Sequence, residues 1–217
     1  MINLMAEGYS DIDENAGFGE FEFERRFLVR DFPANLQDSP ALIVQSYFLA
    51  EDGYAIRVRC QATNLVADFD EMENGPELLR KYREQVDFAA ITVKGPAAGG
   101  TRYESERVID HGVGVELVLR GKSLVTKVRY SVWLGQDGWV VDVFGGENYP
   151  LIIAECERSS PVTDLQIPDF CYTEITDDHR FANDSLAHHP YSRWYQEYEK
   201  ELARTGPGYR TDFGSNS

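Results

Sequence analysis

Glu22-Phe23-Glu24-Arg25-Arg26-Phe27-Leu28-Val29 mixes charged and bulky apolar side chains, and the fold is read outward from it. Successive side chains of a β-strand point to opposite faces, so Glu22, Glu24 and Arg26 share one face and Phe21 and Phe23 the other. The same two-residue period returns along the chain at Arg57 and Arg59, at Arg102, Glu104 and Glu106, at Lys127 and Arg129, and at Glu155 and Glu157. Lys94 and Asp142 are single candidates in two further strands, and Ile56, Val58, Val93, Val128, Val141, Val143, Ala154 and Cys156 alternate with the charges. Charged pairs at this spacing ordinarily mark a solvated face. Here they recur in most strands, some sets acidic, some basic and some mixed, and the helical segments are too few to cover a broad sheet. The alternative is a closed barrel with a charged lumen.

Runs rich in Val, Ile, Phe, Tyr and Thr predict eight strands at 21–29, 43–49, 55–60, 89–94, 102–109, 125–134, 139–144 and 151–158. Breaks such as Glu51-Asp52-Gly53 and Gln136-Asp137-Gly138 predict hairpins. Short helices are expected over 76–86, where Pro76 suits a first turn, and over 114–120, with a C-terminal amphipathic helix over 192–204 capped by Ser192. The expected class is α+β, mainly β: a closed eight-stranded antiparallel β-barrel with a few short helices and a C-terminal helix. It forms one domain over 20–204, between ends at 1–19 and 205–217 that are rich in Gly, Ser, Asn and Asp and are expected to fray.

Of 217 residues, 42% are hydrophobic and 27% charged, the composition of a globular chain. Against 37 Asp and Glu stand 21 Lys and Arg, a formal charge of −16 that repels nucleic acid and anionic membrane, so any basic site must be enclosed. The strongly apolar runs, such as 149–154, are too short to span a bilayer, and 1–19 has neither the basic start nor the apolar run of a secretory signal. A cytoplasmic protein with no membrane or nucleic-acid partner is expected. Cys60, Cys156 and Cys171 fit neither a disulfide framework nor a metal motif and read as reduced core thiols. Phosphate-loop, zinc-helix and nucleophile-elbow motifs are absent. Gly112-Val113-Gly114 reads as a loop fragment, His188-His189 as a surface turn, and Trp194, Tyr195 and Tyr198 as helix packing.

A lumen lined by Arg57, Arg59, Lys94, Arg102, Lys127 and Arg129 would cradle a multiply charged phosphate chain, with guanidinium forks on its oxygens. Glu22, Glu24, Glu104, Glu106, Asp142, Glu155 and Glu157 then read as oxygen ligands for a hard divalent cation shared with the phosphates.

These residues resemble a known family, the CYTH domains of the triphosphate tunnel metalloenzymes. The stretch 22–29 resembles the family's ExExK opening, usually seen as EIERKFLV. The likeness continues through Gln45-Ser46-Tyr47-Phe48-Leu49, Ile56-Arg57-Val58-Arg59, Thr92-Val93-Lys94-Gly95, Arg102-Tyr103-Glu104-Ser105-Glu106, Lys127-Val128-Arg129-Tyr130, Val141-Asp142-Val143-Phe144 and Ala154-Glu155-Cys156-Glu157. It closes at 177–187, which resembles the family's C-terminal plug, and spans about 20 to 190.

The resemblance implies hydrolysis of inorganic triphosphate to phosphate and pyrophosphate with Mg²⁺ or Mn²⁺, one metal orienting the chain and another positioning the attacking water. It leaves open a nucleotidyl cyclase, a hydrolase of ATP or thiamine triphosphate, and a non-catalytic polyphosphate- or nucleotide-binding module, acting as monomer or homodimer. There are two departures: a longer segment between Cys60 and Ala90, and Arg26 in place of the signature lysine. A guanidinium stays protonated, so Arg26 is expected to neutralise charge on the leaving group, and Lys127 or metal-bound water to supply any proton.

Overall fold

The computed structural model describes residues 21–214 except 68, 70–73 and 99–100; the expected frayed end at 1–19 lies outside the described residues. Among the described residues there are nine strands: β1 (Phe21–Val29), β2 (Ala41–Glu51), β3 (Tyr54–Thr63), β4 (Phe88–Lys94), β5 (Thr101–Val108), β6 (Ser123–Leu134), β7 (Asp137–Phe144), β8 (Ile152–Arg158) and β9 (Cys171–Glu174). The helices are α1 (Gly75–Lys81), α2 (His111–Arg120), α3 (Asn183–His188) and α4 (Tyr195–Thr205).

The first eight strands close into an antiparallel barrel in the order β1-β5-β4-β3-β2-β6-β7-β8 and back to β1. β1 is the keystone. One edge pairs β8 from Phe23 to Leu28; the other pairs β5 at Phe21–Phe23 and β9 at Phe27–Val29. β9 is too short and too mixed to read as a strand in the sequence, and it covers the part of β1 that β5 leaves free. Asp52 (φ 52°) and Gly53 (φ 82°) both take the left-handed backbone of a two-residue hairpin turn between β2 and β3.

The apolar outer face of the barrel is covered in two places. α1 and α2 lie over Val44, Val58, Cys60 and Ala89. Val162 and Leu165 join Val128, Trp139, Val141, Ala154 and Cys156 in a second cluster. A third cluster lies inside: α3 and α4, with Phe181 and Tyr191, pack on Leu28, Val125 and Phe144, which share the inward face with Arg26, Lys127 and Asp142, and so close one end of the barrel. Loops thus cover what the helices cannot.

α2 begins at His111, capped by the Asp110 side chain on Val113 N at 3.0 Å, so Gly112-Val113-Gly114 belongs to a first helical turn and not to a loop. Glycine is needed at 114 because a Cβ there would lie 2.4 Å from the Ala89 Cβ, closer than packed carbons approach. The C-terminal helix starts at Tyr195, later than expected, because Ser192 sits in a preceding 3-10 turn, Tyr191–Arg193, and caps nothing. Trp194 and Tyr198 do pack as expected, their rings 5.0 and 4.9 Å from that of Phe181. All three cysteines are buried and free. No helix among the described residues is long and apolar enough to cross a membrane.

The stretch from 205, expected to fray, is held as far as Phe213. Gly208 O accepts from Glu174 N, Phe213 O accepts from Asp164 N, and the Tyr209 hydroxyl donates to Cys171 O. Its anchor is a buried ion pair under the barrel wall. Arg25 is fully buried and donates Nε and Nη2 to the two oxygens of Glu174 at 2.9 and 2.6 Å, while Arg210 N and Thr176 Oγ1 satisfy the same carboxylate. Removing one partner of a buried pair strands a charge in a low-dielectric wall. Arg25→Ala is therefore expected to lower unfolding free energy by about 3–5 kcal/mol in urea titrations, whereas Lys200→Ala, which breaks an exposed pair with Glu197, should be near neutral.

Candidate active site

Because β1 to β8 alternate, one face of every strand turns inward, and the barrel encloses a cavity of about 1090 Å³. Glu22, Glu24, Arg26, Arg57, Arg59, Lys94, Arg102, Glu104, Glu106, Arg129, Glu155 and Glu157 all line it. The sheet register explains the meeting: Glu24 faces Glu157 and Arg26 faces Glu155 across β1 and β8, Lys94 faces Glu104 across β4 and β5, and Arg129 faces Asp142 across β6 and β7.

Two of the expected site residues do not reach the cavity. Asp142 is fully buried behind it, gripped by Arg129 through Nε and Nη2, both at 2.7 Å, and by Lys127 Nζ at 2.6 Å. Burial alone would raise its pKa, but the two cations hold it well below the usual carboxylate range. With both oxygens taken, Asp142 orients Arg129 and is not available as a metal ligand. Lys127 is 2% exposed, its ammonium engaged by Asp142 and by Asn183 Oδ1 at 3.0 Å, so it is not placed to give a proton to a ligand in the cavity.

Elsewhere in the lumen acids and bases interlock. On the β3-β4-β5 wall Arg57 reaches Glu104 at 3.4 Å and Glu106 at 3.2 Å, and donates to Thr92 Oγ1 at 2.9 Å. Arg59 reaches Glu106 at 3.0 Å, and Lys94 contacts Glu104 closely and Glu22 at 3.6 Å. On the other wall Arg129 also reaches Glu155 at 3.4 Å. Arg26 lies 3.5 Å from Glu24 and donates Nη2 to Thr176 O at 2.8 Å. Arg102 fastens the mouth, donating to Gly95 O at 2.9 Å and Gly53 O at 3.1 Å.

Crowding shows in the titration of these groups. Burial and the nearby Arg57 push Arg59 down to about 10. Burial, again with Arg57, pushes the Lys94 ammonium down to about 8, and burial brings Lys127 to about 8 against the pull of Asp142. Enclosure by the wall, then Glu22, Glu155 and Glu24, raise the Glu157 carboxyl to about 7 even though its side chain opens to the cavity. Burial, Asp142 and Glu24 raise Glu155 as well. Among the described residues Glu157 has no ion-pair partner, and no three acidic, cysteine or histidine groups are already gathered as a metal-binding set.

Several lining residues were given no role in the sequence reading. Tyr47 lies two residues from Gln45 on the inward face of β2, and a shift of register at Phe48 brings Ala50 to the lumen in turn. α3 and the turn before it add His179, Asn183, Asp184, Ser185, His188 and His189. The two adjacent histidines are exposed, as a surface turn would be, but that turn is the rim of the cavity. Only the resemblance of 177–187 to a plug pointed to this segment.

No family model matches the chain. Over 110 residues, half of this chain and 70% of the relative, it is 36% identical to an inorganic triphosphatase of Acetivibrio thermocellus. Among solved structures, that of the inorganic triphosphatase NE1496 aligns with a TM-score of 0.48 at 26% identity, covering 76% of this chain and 93% of the other. A Hippeastrum protein described as a putative adenylyl cyclase with a dominant triphosphatase activity aligns with a TM-score of 0.40 at 13% identity, covering 91% of this chain and 92% of the other. The chain belongs to the triphosphate tunnel metalloenzymes, the CYTH family, and is a hydrolase of the triphosphatase type.

Proposed function

We propose that the protein hydrolyses inorganic triphosphate to phosphate and pyrophosphate with a divalent cation, Mg²⁺ or Mn²⁺. The observation that carries this reading is the charge balance of the barrel. Among the described residues, eight basic side chains (Arg26, Arg57, Arg59, Lys94, Arg102, Lys127, Arg129, Arg158) face or back the cavity beside ten carboxylates (Glu22, Glu24, Glu51, Asp52, Glu104, Glu106, Asp142, Glu155, Glu157, Asp184). A site with an excess of carboxylates cannot take up a polyanion unless cations enter with it or carboxylates take up protons.

The donor set fits a hard cation. Glu24 and Glu157 are directly opposed like charges, which repel in a sheet, and Glu22 and Glu155 are close enough to raise Glu157 further. Mg²⁺ commonly uses one or two carboxylates with water and substrate phosphate, so the absence of a ready-made three-ligand set among the described residues accords with it. Glu24 and Glu157 are the first candidates to hold it, with Glu22 and Glu155 beside them. When bound, the cation supplies charge neutralisation at the phosphoryl oxygens and orients the attacking water.

The protein's own groups do the rest. Arg57, Arg59 and Arg129 offer planar forks to non-bridging oxygens, and Asp142 and Glu106 hold those forks in place. Arg26 adds a fixed positive charge that stabilises the departing pyrophosphate as the anhydride P–O bond breaks and water oxygen bonds to the terminal phosphorus. Lys94, in the lumen and brought to about 8, is a cavity-facing cation able to part with a proton near neutral pH, and it takes the place expected of Lys127.

Three outcomes test this reading. With tripolyphosphate, ATP and thiamine triphosphate offered in parallel, phosphate release should be fastest from tripolyphosphate and vanish in excess EDTA; full activity in EDTA would rule it out. Arg59→Ala should raise KM for tripolyphosphate while leaving metal affinity largely intact, whereas Arg26→Lys should keep activity within roughly tenfold, about 1.4 kcal/mol in barrier height, because the charge survives. In the metal-free protein, carboxyl NMR should find Glu157 titrating near 7. Glu22→Gln removes a neighbouring negative charge, so it should move that midpoint down; no movement would mean that repulsion is not its cause.

A further inference from the structure

One end of the cavity is crossed by α3, whose first residue is Asn183. Two donors converge on its Oδ1: Lys127 Nζ at 3.0 Å and Gln45 Nε2 at 3.3 Å. Both donors belong to residues buried in the wall, Lys127 at 2% and Gln45 at 0% exposure. This contact settles which way the carboxamide faces. An ammonium has three donors and no acceptor, so the oxygen of Asn183, and not its nitrogen, must be the atom against Lys127. The Nδ2 amino group is thereby turned away from Lys127, and Asn183 lines the cavity.

We propose that Asn183 is a substrate-binding residue: its Nδ2 donates to an oxygen of the phosphate chain at the α3 end of the cavity, and Lys127 is the positioning residue that locks the carboxamide for this role. The assignment rests on the triphosphate reading above. It gives Lys127, which is shut off from the lumen, a route to the ligand through a neutral amide. It also gives the bound chain a directional contact at the end where Asp184 contributes a carboxylate, whose Oδ1 is occupied by Ser185 N at 2.9 Å. A neutral donor adds no charge to the lumen, so it selects position without altering how many cations must enter.

Asn183→Asp is the informative variant. It is the same size and keeps an acceptor for Lys127 and Gln45, but it replaces the Nδ2 donor with a negative oxygen. Asn183→Ala removes the donor and also leaves Lys127 and Gln45 short of an acceptor in the wall. Binding of tripolyphosphate is measured by calorimetry in EDTA and again with Mg²⁺, beside the Tm of each protein. The expected result is a loss of roughly tenfold in affinity for Asn183→Ala and on the order of a hundredfold for Asn183→Asp, with Tm unchanged in the Asp variant. Parent-like binding by Asn183→Asp, or a loss no larger than that of Asn183→Ala, would overturn the assignment while the triphosphate reading stood. A parent protein that binds no tripolyphosphate under either condition would overturn both.

Discussion

Charges removed from water must find one another, and a closed barrel with a charged interior depends on meeting that requirement strand by strand. The cost of desolvating a carboxylate or guanidinium in a wall of low dielectric is several kcal/mol per ion after relaxation, recovered only with close partners and satisfied hydrogen bonds. The deepest example is Asp142, wholly buried, whose two oxygens are divided between Arg129 and Lys127. This pairing holds β6 to β7 from inside and fixes the Arg129 fork before any ligand arrives. On the opposite wall Glu106 does the same for Arg57 and Arg59. The basic side chains of the lumen are therefore held in place by the same interactions that make the interior tolerable.

Much of this was legible in the sequence because strand periodicity is strict. A side chain two residues along a strand returns to the same face, so Glu22, Glu24 and Arg26, or Glu155 and Glu157, could be assigned to one surface without knowledge of their partners. Closure was legible less directly, from the imbalance between strand and helix. The outer face proved to be covered partly by segments without regular structure, such as the one carrying Val162 and Leu165, which no periodicity announces. The arrival of β9 beside β1 depends on the buried Arg25–Glu174 pair, 149 residues apart, and side chains so distant leave no local signature.

Depth was not legible at all. Alternation says that Lys127 and Asp142 point inward but not how far, and their neighbours Arg57, Arg59, Arg129 and Glu155 reach the open volume while these two remain behind it. The difference comes from α3, which supplies Asn183 as a second acceptor for Lys127 and covers it. Sequence spacing within β6 contains no trace of a helix packed on it from more than fifty residues downstream. The register shift at Phe48 is a similar case: beyond it, strict alternation assigns the wrong faces, and Ala50, not Leu49, borders the cavity.

Arg26 joins these threads. Its backbone N donates to Thr176 Oγ1 at 3.1 Å, its carbonyl accepts from Ile175 N at 2.8 Å, and its Nη2 donates to Thr176 O at 2.8 Å. The segment held in this way leads directly from β9 into the turn at Phe181 and on to α3. A lysine ammonium has one nitrogen, whereas a guanidinium has three, so Arg26 can give Nη2 to Thr176 while its Nε lies 3.5 Å from Glu24. The substitution of arginine for the signature lysine is thus matched to a structural duty: the guanidinium spans from the cavity to the segment that closes it. A cation lining the cavity and a tether to the segment that leads into α3 reside in one side chain, so the geometry of the closing helix and the placement of that cation cannot vary independently.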